Sequence, residues 1–97
     1  MGKGPRCEVY SSAQFEKQLR RVPFFIKEAL LVWVESVEEQ GLTEVRKLKG
    51  YHDEPLQGTR RGQRSVRLNR AYRLIYVEGN DGEITIVTLQ EVHKHDY

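Results

Sequence analysis

The sequence holds 97 residues with a net charge of +2, enough for one compact domain spanning residues 1–97 and too short for a second core or a repeat array. Hydrophobic residues make up 38% and charged residues 31%, which excludes a disordered chain, and no apolar run approaches the ~20 residues that span a bilayer. A single cysteine, Cys7, excludes an intrachain disulfide, and with three histidines and no CxxC pair it leaves no structural zinc framework. The stretch from Met1 to Arg6 lacks the apolar centre of a secretory signal, so a cytoplasmic protein without a membrane partner is expected.

Cys7-Glu8-Val9-Tyr10 reads as a short strand, and Ser11-Ser12-Ala13-Gln14 carries the serine and glutamine of a capping box. Phe15, Leu19 and Val22 recur at spacings of four and three on a helix that Pro23 ends. Pro23 suits the first turn of a second helix, where its missing N–H has no partner to lose. Ile26, Leu30, Val34 and Val37 line one face of that helix, Phe25, Ala29, Leu31 and Trp33 widen the stripe, and Gly41 supplies a left-handed stop. Leu42, Val45 and Leu48 predict one more turn with its apolar side inward, and the stretch from Lys49 to Gly62 reads as an irregular loop.

From Gln63 the period changes to two. Val66 and Leu68 face a core while Ser65, Arg67 and Asn69 face outward, and a hairpin through Arg70 and Ala71 returns as Tyr72 to Val77 with Leu74 and Tyr76 on the core side. Gly79-Asn80-Asp81-Gly82 signals a tight turn, and a last strand runs from Glu83 to Val92. The expected fold class is α+β, a two-helix hairpin packed on one face of a small antiparallel sheet in the order β-α-α-β-β-β, with the other face partly bare.

The charge is unevenly distributed. Between Arg60 and Arg73 there are six arginines (Arg60, Arg61, Arg64, Arg67, Arg70 and Arg73), with no acid and no lysine. Guanidinium grips phosphate bidentately, so the run reads either as a polyanion-binding surface or as ordinary solvated arginines on a strand pair. His93 and His95, two apart, share a face in an extended strand, and histidine moves protons near neutrality; the other reading is a frayed polar tail. His52-Asp53-Glu54 in the long loop offers a further acid, base or orienting carboxylate, or simply a solvated loop.

Three pieces follow one another behind the helical hairpin: Pro55-Leu56-Gln57-Gly58 with Gly62-Gln63-Arg64-Ser65-Val66-Arg67-Leu68-Asn69, then Tyr72-Arg73-Leu74-Ile75-Tyr76, then the C-terminal His95 and Tyr97. In this order they resemble the RelE/ParE superfamily of type II toxin–antitoxin toxins, and within it the HigB-like and RelE-like mRNA interferases. The resemblance implies a metal-independent endoribonuclease with no cofactor, which cleaves mRNA on the 70S ribosome and inhibits translation until a cognate antitoxin, of helix-turn-helix DNA-binding type, covers the site. Operator DNA would be met only through that antitoxin. The ribose 2′-OH attacks the adjacent phosphate, which requires a base, cations for the equatorial oxygens and an acid at the leaving oxygen. By the same resemblance Arg73 holds the scissile phosphate, Arg67 adds a second cation, His95 shuttles protons, and Tyr97 stacks or carries a proton. Arg60, Arg61, Arg64, Arg70, His93 and Lys94 bind RNA around them. ParE-like members share the fold and inhibit DNA gyrase without cutting, which is the alternative reading.

Overall fold

The computed structural model describes residues 6–94. β1 (Arg6–Ser11) leads into α1 (Ala13–Leu19), α2 (Phe24–Gln40) and a short α3 (Leu42–Arg46). A connecting segment carries the two-residue strand β2 (Glu54–Pro55), and the chain ends in β3 (Gln63–Arg67), β4 (Tyr72–Asp81) and β5 (Ile84–Lys94). The five strands form one sheet in the order β1-β5-β4-β3-β2.

Local rules explain most boundaries. Ser12 caps α1 by accepting the Phe15 N–H at 3.0 Å, while Ser11 bonds to Glu16, so the cap is made by Ser12 rather than by a Ser11–Gln14 box. Pro23 sits in extended backbone at the N-cap of α2, one residue before the first-turn position expected of it. Gly41, at φ 92°, ends α2 and opens α3. The Asn69 side chain accepts the N–H groups of Ala71 and Tyr72, each at 2.8 Å, which closes the β3–β4 turn. The β4–β5 turn is Gly82–Glu83, one step beyond the expected stretch, because β4 runs through to Asp81 and the positive φ falls on Gly82.

Three expectations change. The sheet is mixed, because β1 pairs in parallel with β5 from Arg6↔Ile84 to Ser11↔Leu89; a strand's own pattern says nothing of its neighbour's direction, and the whole intervening domain serves as the crossover that parallel pairing needs. The loop from Lys49 to Gly62 is partly regular, with 3₁₀ turns at Lys49–Tyr51 and Gly58–Arg60 and with Glu54 and Pro55 paired to Ser65 and Arg64. Proline is tolerated there because β2 is an edge strand. Leu48 lies half exposed where an inward side chain was expected, and on α2 Phe25 and Leu31 face solvent beside Phe24 and Val32.

The core lies between the helices and one sheet face. Phe15, Ile26, Leu30, Trp33 and Val37 pack against Val66, Leu74, Tyr76, Val87, Leu89 and Val92. Each such side chain, fully buried, contributes roughly 1.5–3 kcal/mol. Trp33 meets Tyr76 at a ring-centroid distance of 5.3 Å, tilted by 48°. A β-bulge opposite Ile75 and Tyr76 resets the alternation of β5, which is why Leu89 and Val92, three apart, both point to the core. No described helix is long and apolar enough to cross a membrane.

Candidate active site

Strand register sorts the arginines onto two faces. Arg67 lies directly opposite Arg73, and Arg73 opposite His93; Ser65 lies opposite Ile75, and Ile75 opposite Glu91. Partners across a ladder share a face, so Ser65, Arg67, Arg73, Ile75, Glu91 and His93 form two columns on the face away from the helices. Glu54, paired with Ser65, extends the second column to the sheet edge.

This face is not bare. Ser65 and Ile75 are buried, and they share a cleft of about 290 Å³ with Leu56, Arg60, Arg73, His93 and Lys94. The segment between β2 and β3 therefore folds onto the open face. Glycines at Gly58 (φ 68°) and Gly62 (φ 97°) bound it, each in the left-handed region, and a single ion pair from Arg60 to Glu91 fastens it across the sheet. The His93 Nε2 also meets the Glu91 carboxylate, at 2.9 Å, and its Nδ1 lies 3.1 Å from the Lys94 carbonyl. Both ring nitrogens thus face acceptors, so an imidazolium can donate to both and a neutral ring to only one. Burial pushes the Glu91 carboxyl up, but the hydrogen bonds from Arg60 and His93 outweigh it and hold Glu91 below the ordinary glutamate range.

Arg64 does not belong to this cluster. It pairs with Tyr76 and shares the helix-side face with Val66, where its Nε donates to Asp53 at 2.6 Å. The Asp53 side chain is 1% exposed and also accepts the Tyr76 hydroxyl at 2.7 Å. Arg46 completes the network, with Glu78 at 2.7 Å and the Tyr76 oxygen at 3.3 Å. Burial first, then the bond to Asp53, pushes the Tyr76 hydroxyl well above the ordinary tyrosine range. Here every cation is matched by a carboxylate. On the open face Arg60 alone of the arginines is matched, by Glu91; among the described residues no carboxylate lies within 4.0 Å of Arg61, Arg67, Arg70 or Arg73.

The structure therefore gathers Arg60, Arg73, His93 and Lys94 in one cleft, sets Arg67 beside Arg73, and leaves Arg61 and Arg70 exposed on flanking turns. His95 and Tyr97 lie outside the described residues. Glu91 is the residue that sequence reasoning missed, although its spacing of two from His93 in a strand was the available signal. No three residues among the described His, Cys, Asp and Glu gather as a metal site.

Such an arrangement can bind an oxyanion. Unpaired guanidinium groups beside an apolar floor offer donors in fixed geometry where dielectric screening is reduced, and the His93 imidazole, bonded to Glu91, lines the same cleft.

No protein-family model and no curated protein matches the sequence. Solved structures do. The chain is similar to the toxin YafQ of E. coli strain BL21(DE3), with 18% identity, a TM-score of 0.72, and coverage of 93% of this chain and 94% of that one. A YoeB/ParE toxin from Agrobacterium tumefaciens follows at 14% identity and a TM-score of 0.70, with coverage of 92% and 99%. The toxin–antitoxin complex RelBE2 from Mycobacterium tuberculosis gives 22%, 0.67, 97% and 95%. With three helices and a mixed five-stranded sheet matched along nearly its whole length, the chain shares the fold of these toxins.

Proposed function

We propose that this chain is the toxin of a toxin–antitoxin pair and that its open face cleaves mRNA, halting translation. The observation that carries the reading is the pair of facing, uncompensated arginines, Arg67 and Arg73, at a cleft that also holds Arg60, His93 and Lys94. Uncompensated like charges repel one another, and an arriving phosphate relieves that repulsion. Arg73 holds the scissile phosphate and Arg67 neutralises the charge that builds on its oxygens. The ribose 2′-OH attacks that phosphate, with His95 and Tyr97 as the proton carriers and no metal or other cofactor. His93 and Lys94, the last described residues of β5, line the cleft. Arg60, Arg61 and Arg70 contact flanking RNA, while Arg64 acts through the buried network rather than on substrate.

The partner is a cognate antitoxin, in keeping with relatives solved as toxin–antitoxin complexes. The setting is the cytoplasm, with the 70S ribosome presenting the message. Purified protein mixed with programmed ribosomes and separately with naked mRNA tests this directly. New 5′-OH ends together with a 2′,3′-cyclic phosphate or 3′-phosphate are expected. Intact mRNA alongside failing DNA supercoiling would transfer the reading to a gyrase inhibitor.

A further inference from the structure

The open-face cleft is not isolated. A second cleft of about 310 Å³, at the end of the sheet beside α1, shares His93 and Lys94 with it. A third, of about 220 Å³ along α1, shares Gln18 and Arg21 with the second. Through these shared residues the three clefts adjoin one another in order, from the open face past the ends of β4 and β5 onto α1, and together make a trough. Among the described residues its lining carries five cations, Arg60, Arg73, Lys94, Arg21 and Lys17, of which Arg60 alone is engaged, by Glu91, and no Asp or Glu side chain lines it directly. Lys17 and Arg21 are exposed and make no ion pair among the described residues.

The polar groups of the middle cleft match a phosphate chain. Gln18 spends its Oε1 on the Val92 N–H at 2.8 Å, which leaves its amide NH₂, a donor, as its remaining polar group. Tyr72 adds an aromatic ring to the same wall. A groove with cations at intervals, a free amide donor and an aromatic surface is the chemistry that tracks single-stranded nucleic acid without reading its sequence.

We propose that the RNA strand held at Arg73 continues around the end of β5 onto α1, its backbone gripped in turn by Lys94, Arg21 and Lys17. The inference rests on the reading of the open face as an RNA site and extends that site by several nucleotides on one side.

The test uses the full-length protein and non-cleavable 2′-O-methyl oligoribonucleotides from about two to about ten nucleotides, followed by fluorescence anisotropy. Parent affinity should climb with length. The double variant Lys17→Ala, Arg21→Ala should bind a dinucleotide like the parent and the longest oligomer about tenfold more weakly. Its salt dependence should flatten by about 1.4 in log–log slope, the loss of two single-strand phosphate contacts. Equal binding of long oligomers by parent and variant would overturn the proposal, as would parent affinity independent of length. If the parent ignores every oligonucleotide but binds a polyglutamate peptide, and the double variant does not, the trough takes an acidic protein segment instead. Failure of mRNA cleavage by the parent is read in a separate assay and strikes the ribonuclease reading, not the trough.

Discussion

Arg64 and Arg73 sit on adjacent strands of one hairpin, yet their surroundings are opposite. Arg64 turns toward the helices and finds a carboxylate that is 1% exposed; Arg73 turns away and among the described residues finds none within 4.0 Å. The Asp53 carboxylate is the buried member of the helix-side pair and would bear the desolvation penalty without its partners, so that pair is structural. Arg64 and Arg73 are alike in being partly exposed, but Arg73 has no acid and its guanidinium remains available. The same residue type therefore does two jobs, and the direction of the side chain decides which.

The largest expected effect comes from breaking the helix-side network. Asp53→Ala removes the acceptor of both Arg64 and Tyr76, stranding one partly buried cation and one buried hydroxyl while Arg46 keeps Glu78, so it should destabilise the fold by about 3–5 kcal/mol. Urea unfolding measures it, and a midpoint near that of the parent would show that the network is dispensable. Next comes Arg73→Ala, which should slow mRNA cleavage by about 10²–10³-fold, or ~3–4 kcal/mol of transition-state stabilisation, while leaving stability within ~0.5 kcal/mol. Single-turnover rates beside thermal melts separate the two.

A smaller effect follows from the one ion pair that spans the open face. Arg60→Ala frees the glycine-bounded segment from Glu91 and should lower the protection of amides 58 to 62 from hydrogen exchange, with a global destabilisation of no more than about 1 kcal/mol. Unchanged exchange would mean that Leu56 alone seats the segment. The smallest effect is on acid stability. Glu91 is held below its unfolded value, so its contribution is fully present above the ordinary glutamate range and is lost as pH falls through its lowered value. Glu91→Gln should therefore flatten the acid limb of a stability–pH curve, and identical curves would deny the pairing.

Period-two parity made the inner faces of β3 and β4 legible: Val66, Leu74 and Tyr76 all point to the core as their spacing implies. The same parity places Arg64 with Val66, but grouping the arginines by charge hid it. Spacings of three and four found the buried stripe of α2, yet could not mark where that stripe ends, so Phe25 and Leu31 were drawn into it. Direction and long-range pairing were beyond reach, because β1 meets β5 only through tertiary contacts and Glu54–Pro55 becomes a strand only once β3 lies beside it. Of the open-face site, Arg67, Arg73 and His93 were visible as residue types on alternating positions. Glu91 was not singled out, since nothing local indicates that a segment carrying Arg60 folds back across the sheet to meet it.

The division between the two arginine faces is tested most directly by one paired measurement, thermal melts and single-turnover mRNA cleavage for Arg64→Ala and Arg73→Ala made side by side. Arg64→Ala should melt several degrees below the parent and, once folded, cut at a rate within about threefold of it; Arg73→Ala should melt like the parent and lose about 10²–10³ in rate. The reverse pattern, with Arg64→Ala stable and inactive or Arg73→Ala unstable and active, would contradict the assignment of the open face as the active site.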